Sequence, residues 1–198
     1  MAEKLEKLTP DVYLKKIHNR MRFSNSIIIT PLSWLGKLLA SNKIGKEWSA
    51  NKATVYKEIG FGKNRFDVLV SLPGASMTLI TAEEALASGA RQIIFVGTGG
   101  SINGKHEIGD VIFNPRSISV LSPYSEHDKW DEIKKFEVVD MESKFLSDLA
   151  RKYKVEFYSV IIISDAIWRN RWLHKNVKLN KPLKSIKEWL GKIDITKA

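Results

Sequence analysis

At 198 residues, 43% hydrophobic and 27% charged, the chain is long enough for one domain with a sizeable core. It has no cysteine, which excludes disulfides, thiol nucleophiles and thiolate metal sites, and its longest apolar runs, such as 160–163, are too short for a membrane helix. The net charge of +10 is spread along the chain rather than gathered in one block, as in a lysine-rich surface rather than a nucleic-acid-binding face, and the lone Gln92 fits a thermophile's residue usage.

Residues 5–22 place Leu5, Leu8, Val12, Ile17 and Met21 at a broken helical period, with Pro10 at a helix start after Thr9. This predicts an N-terminal helical extension over 1–25. The first ten residues are charged and lack the apolar region of a signal peptide, so a cytoplasmic location is expected. Ile27-Ile28-Ile29 reads as a short buried strand. Residues 31–39 read as a helix opened by Pro31, with Leu32, Leu35, Leu38 and Leu39 on one face. Stretches 53–59 and 65–71 read as strands around a turn at 60–64.

The most informative segment is 68–112. An apolar strand runs into Pro73-Gly74-Ala75-Ser76 and a helix over 76–87, which Gly89 closes. A second strand, 92–96, empties into a predicted turn, Gly97-Thr98-Gly99-Gly100-Ser101. A glycine-rich turn at a strand end can present backbone N–H groups to an anion, and Thr98 adds a hydroxyl. The spacing matches neither a dinucleotide fingerprint nor a P-loop. A bare strand-exit turn is the alternative reading.

Beyond Gly109-Asp110, 111–113 reads as a strand. Residues 114–135, with Pro115, Pro123 and several serines, read as a loop. An amphipathic helix is predicted over 140–153 and a β-branched strand over 157–163, ending at Ser164-Asp165. Residues 168–178 are basic and aromatic, which suits a lid, an interface or nucleic-acid stacking. A last helix spans 181–193 with Pro182 in its first turn. This alternation predicts a single α/β/α domain of three layers with a mixed, mostly parallel sheet.

Carboxylates stand out at Asp140 and Glu142, at a helix start, and at Asp165, after a buried strand. Asp140 suits a helix cap, and Glu142 can equally be solvated. Asp165 has the place of a binding group in an open α/β sheet, or of a cap for a helix beginning at Ala166. The four histidines, 18, 106, 127 and 174, show no metal-ligand spacing, and no metal is expected.

The order of these elements carries a further implication. Pro-Gly-Ala-Ser, then Val-Gly-Thr-Gly-Gly, Gly-Asp-Val, Val-Asp-Met-Glu-Ser and Ile-Ser-Asp, over 55–168, resembles the nucleoside phosphorylase and nucleosidase superfamily. The Met-Glu-Ser and Ser-Asp pair is the most specific part. The resemblance implies that Met141 packs under a ribose, that Glu142 hydrogen-bonds its hydroxyls, and that Asp140 sits at the acidic position before them. It implies that Asp165, beside the substrate-binding Ser164, donates a proton to the departing base. Gly97, Thr98 and Gly99 match a phosphate-facing loop, and Gly74 and Ser76 the small-residue helix start beneath the site. A homo-oligomer (dimer or hexamer) follows, with inorganic phosphate as co-substrate, no other cofactor, no membrane partner and no nucleic acid.

The chain departs from the family in three places. Ser33 and Phe95 stand where phosphorylases carry phosphate-binding arginines. Residues 30–35 hold no glutamate of the kind that activates water in the hydrolytic members. The segment 111–139 is short, leaving Tyr124, Trp130 and Phe136 as candidates to cover a base, and Arg20, Arg22, Lys57, Arg65, Arg169 and Arg171 as candidates for the missing charge. The expected reaction is cleavage of a nucleoside N-glycosidic bond by phosphorolysis. The alternatives are hydrolysis, nucleoside binding without turnover, or a basic nucleic-acid-binding protein.

Overall fold

The computed structural model describes residues 9–10, 21–41, 43–48, 52–102, 104–121, 130–168, 171–174 and 178–195, with the backbone alone at 130, 167–168 and 171–174. The helix expected over 5–22 falls almost wholly outside them.

Among the described residues, ten strands join one sheet. Its centre is parallel: β1 (Ser26–Thr30) lies between β4 (Asn64–Val70) and β5 (Gln92–Ile102), and β5 pairs on its other side with β9 (Glu156–Trp168). Antiparallel strands extend this core. β3 (Ala53–Phe61) and β2 (Lys46–Trp48) follow β4, while β6 (Val111–Phe113) and β10 (Arg171–His174) pair with successive parts of β9. β8 (Val138–Asp140) pairs with the far end of β5, and β7 (Ser117–Ser119) runs parallel to β8.

Helices cover both faces, as a parallel sheet requires. One side of the sheet packs Ile27, Ile29, Ile93 and Phe95 against Ala82 and Ala85 of α2 (Ala75–Ala87) and Leu146 and Leu149 of α4 (Ser143–Tyr153). The other packs Ile28, Ile94 and Val96 against Leu35 and Leu39 of α1 (Ser33–Leu39) and Ile186 and Leu190 of α5 (Asn180–Leu190). The three isoleucines of β1 are fully buried because both of its faces are covered. This is the expected α/β/α domain.

Several local expectations are corrected. The stretch 97–101 is not a turn but strand, continuing β5 to Ile102. None of Gly97, Gly99 and Gly100 has positive φ. Their role is steric: a Cβ on Gly97 would stand 2.5 Å from the Phe95 ring, and one on Gly99 only 2.7 Å from the Val139 carbonyl. β9 likewise runs through Asp165 to Trp168, so no helix begins at Ala166. Asp140 ends β8, and α4 begins at Ser143. The supposed loop 114–135 contains β7 and the one-turn α3 (Trp130–Ile133). The β3–β4 turn narrows to Gly62-Lys63, with Gly62 at φ +57°.

Candidate active site

The register of β5 creates a notch at the carboxyl edge of the sheet. β1 accompanies β5 as far as Phe95, and β8 takes up the same edge from Gly100. Among the described residues, no strand pairs with 97–99 on that side. The carboxyl ends of parallel strands, where the neighbours of one strand diverge, are the usual ligand crevice of α/β sheets. The predicted residues gather around this notch.

Gly74 forms one wall. At φ +101° and ψ 152° it holds a conformation that an L side chain rarely adopts, and a Cβ there would meet nothing within 4 Å. Its carbonyl accepts from the Thr78 N–H and hydroxyl, and Thr78 also bonds Ser71 at the end of β4, which fixes the loop. The Gly74 N–H donates to Glu142 Oε1 at 3.2 Å. Ser76, by contrast, is exposed on the first turn of α2.

Glu142 and Asp140 form the facing wall. Asp140 is buried, and its Oδ1 accepts the N–H groups of Glu142 and Ser143, both at 3.0 Å. The capping reading therefore holds in an altered form: Asp140 caps α4 from the preceding strand. Burial raises its carboxyl above the usual range against those hydrogen bonds, and its Oδ2 is buried with no hydrogen-bond partner among the described residues. Glu142 is 7% exposed. Burial first, and then the neighbouring charge of Asp140, push its carboxyl up to about 7. Met141 lies half-buried between the two.

Asp165 sits at a bulge. Gly99 pairs with Ile163 and Gly100 with Asp165, leaving Ser164 as the extra residue. Bulges re-aim side chains and recur beside active sites. Ser164 Oγ donates to Asp165 Oδ1 at 2.5 Å and stands 3.4 Å from the Gly99 carbonyl, linking the carboxylate to the glycine edge of β5. Asp165 is half-buried, and in the β9–β10 ladder its register partner is His174. Thr98 is half-buried on β5 beside the notch.

Other candidates lie elsewhere. Phe95 is fully buried in the core, and Ser33 is exposed at the start of α1. Phe136 packs in a third cluster with Ile102, Val120, Ile133 and Val139, beneath Arg116. Lys57 is engaged by Asp67 and the Arg22 carbonyl, and Arg65 by the carbonyls of Gly62 and Asn64. His106 donates its backbone N–H to Ser101 Oγ, and its half-buried ring has Nε2 shielded from solvent. Tyr124, His127, Arg20 and Arg169, and the side chains of Trp130 and Arg171, fall outside the described residues. Among the described residues, no group of three or more His, Asp or Glu is placed to hold a metal ion, and no helix is long and apolar enough to cross a membrane.

Sequence reasoning missed Ser117 and Ser119. Both side chains reach the start of α4, onto Ser143 and Asp140 respectively. The alternating Ser117-Ile118-Ser119 was the available signal, hidden in a stretch that its prolines marked as loop.

No protein-family model and no curated protein sequence matches the chain. Solved structures do. Purine nucleoside phosphorylase from Toxoplasma gondii, determined in complex with immucillin-H, superposes with a TM-score of 0.68 at 16% identity, covering 85% of this chain and 90% of that one. A uridine phosphorylase structure from the oomycete Phytophthora capsici superposes with a TM-score of 0.68 at 13% identity, covering 87% and 90%. At such identities the shared property is architecture: the chain has the nucleoside phosphorylase fold that its Gly-Thr-Gly-Gly, Asp-Met-Glu-Ser and Ser-Asp motifs led one to expect.

Proposed function

We propose that the chain binds a nucleoside in the notch and cleaves its N-glycosidic bond. The observation that carries this reading is the Glu142–Gly74 hydrogen bond, which holds a shielded carboxylate across the sheet edge from the start of α2. In this reading Glu142 accepts hydrogen bonds from ribose hydroxyls and orients the sugar over Met141. Asp165, held by Ser164, donates a proton to the base as the C1′–N bond breaks and its electron pair moves to the base nitrogen. An oxygen nucleophile forms the new bond to C1′. Phosphate binds along the edge of β5 at 97–99 that no described strand pairs, where backbone N–H groups and Thr98 supply donors, and the products are then the free base and ribose 1-phosphate. Inorganic phosphate is the co-substrate, with no other cofactor. A cytoplasmic dimer, or a hexamer built from dimers, completes the proposal.

A specific observation favours a second reading, phosphate-independent cleavage or binding without turnover. Phe95 fills the core where the family places an arginine, and Ser33 replaces the other. Arginine is among the strongest oxyanion ligands, so a doubly charged phosphate loses much of its hold.

Base release from inosine, adenosine, guanosine, uridine and methylthioadenosine, with and without phosphate, tests both. Phosphate-dependent release supports the first reading, and phosphate-independent release makes the protein a nucleosidase. Thermal stabilisation by nucleoside without release leaves a binding protein. The absence of both release and binding overturns the proposal.

A further inference from the structure

A helix start carries N–H groups with no partner inside the helix, and a carboxylate beside them is ordinarily drawn onto them. Glu142 stands at such a start and is not spent there. The N–H groups of Glu142 and Ser143 go to Asp140 Oδ1, and that of Lys144 goes to Ser119 Oγ at 2.8 Å. Ser119 also donates to Asp140 Oδ1 at 2.5 Å, across the parallel β7–β8 pair in which the two residues are register partners. Ile118 points the other way, packing against the third cluster, so the alternation of β7 turns both serines toward α4. Ser117 lies 2.8 Å from Ser143 Oγ. With these donors satisfied, Glu142 reaches Gly74 on the opposite wall.

We propose that Ser119, acting through Asp140, is a positioning residue that keeps the Glu142 carboxylate off its own helix and aimed into the notch. The proposal rests on the reading of Glu142 as the ligand of the nucleoside's hydroxyls. Without the Ser119 hydroxyl, the Lys144 N–H loses its acceptor and Asp140 loses a donor, so Glu142 falls back onto the helix start. Contact with those N–H groups favours the charged carboxylate and lowers its titration midpoint. The charged group bearing on Glu142 is Asp140; the Gly74 N–H, just ahead of α2, and the Met141 N–H on its own strand-to-helix turn both bond its carboxylate. Lys144, on its own helix, is tied to Asp148.

The test compares the full-length wild type with Ser119→Ala, Ser119→Thr and Ser117→Ala. Glu142 is titrated by carboxyl-carbon NMR without ligand, and kcat, KM and calorimetric affinity are measured on the nucleoside panel. Ser119→Ala is expected to lower the midpoint by about one pH unit and kcat/KM about tenfold, consistent with one lost hydrogen bond to a charged group. Ser119→Thr restores both, and Ser117→Ala leaves the midpoint in place. An unchanged midpoint in Ser119→Ala, or no rescue by threonine, overturns the proposal. Should the alanine variant not fold, Ser119→Cys, a weaker donor of similar size, gives the same readout. If the wild type neither binds nor cleaves any nucleoside, the nucleoside reading fails, while the NMR midpoint still decides the role of Ser119.

Discussion

The Glu142 carboxylate and the Gly74 N–H, 68 residues apart in sequence, meet across the carboxyl edge of the sheet at 3.2 Å. That bond joins the starts of α2 and α4 and depends on a backbone geometry reserved for glycine. A Cβ at Gly74 would meet nothing within 4 Å, so space is not the obstacle; φ of +101° is. Gly74→Ala should therefore destabilise by roughly 1–3 kcal/mol through backbone strain alone, and turn the N–H away from Glu142. Chemical denaturation measures the first effect and nucleoside affinity the second. A variant with wild-type stability and affinity would show that the loop relaxes without consequence.

With its carboxyl pushed up to about 7, Glu142 gains its charge within the neutral range. A carboxylate accepts from two hydroxyls, whereas its acid form spends one oxygen as a donor. Nucleoside affinity should rise about tenfold between pH 6 and pH 8 and flatten in Glu142→Gln. The same shift has a stability consequence. The folded-state value lies above the ordinary glutamate value of 4.5, so the folded protein binds the extra proton between those limits, and stability falls as pH rises from about 4.5 to 7. Glu142→Gln keeps an acceptor for Gly74 and removes the buried charge. It should unfold at a higher temperature than wild type at pH 8, by up to about 3 kcal/mol in stability, and show no advantage at pH 4.5. Thermal unfolding at the two pH values decides it.

In the proposed reaction Asp165 protonates the leaving base. Asp165→Asn keeps the size and the acceptor for Ser164 but has no acidic proton to give. Purine nucleoside turnover should fall by 10²-fold or more, on the order of a general acid's contribution, with KM and unfolding temperature little changed. Retained turnover in steady-state assays would remove Asp165 from the mechanism.

Much of the architecture was legible in the sequence because it follows from periodicity. Ile27-Ile28-Ile29 has no alternation, and that is how a strand covered on both faces reads. Gly89, at φ +114°, closed α2 as anticipated. The glycines of β5 were misjudged because a glycine that permits positive φ and one that permits close approach look alike in a sequence. Gly97 and Gly99 are of the second kind: Gly97 leaves room for the Phe95 ring and Gly99 for the backbone of β8, and only the folded packing reveals it. The bulge at Ser164 was hidden for a similar reason: it is set by the pairing of β9 with β5, not by any local signal. Asp140 and Glu142 were singled out through the motif, but their different hydrogen bonding depends on β7, a three-residue strand in a proline-flanked segment.

The steric reading of the β5 glycines has its own test. A Cβ on Gly99 would lie 2.7 Å from a backbone oxygen of β8 and 2.8 Å from Val138 Cγ1, neither of which is the end of a flexible chain. Overpacking of this kind costs typically 1–3 kcal/mol. Because β8 ends in Asp140, its displacement should also disturb Glu142. Gly99→Ala is expected to lose stability and nucleoside binding together in denaturation and calorimetry. Lost binding at unchanged stability would point instead to a direct role of the Gly99 backbone in holding ligand.

Phe95 poses the sharpest question about the nucleophile. By the resemblance it stands where phosphorylases carry a phosphate-binding arginine, yet it is fully buried among Ile27, Ile29 and Ile93, with its ring filling the space that a side chain on Gly97 would take. Restoring the arginine should not restore a phosphate site. The guanidinium would enter an apolar cluster, and a buried charge without a partner costs roughly 3–5 kcal/mol. Phe95→Arg should therefore be strongly destabilised, with no gain in phosphate-dependent base release. Phe95→Leu, which keeps the site apolar, should lose only about 1–2 kcal/mol. Denaturation midpoints of the two variants, set beside their base-release rates across a phosphate titration, separate the outcomes. A stable Phe95→Arg protein whose rate rises with phosphate would mean that the strand end opens enough to admit the anion, and would restore phosphorolysis as the chemistry of the notch.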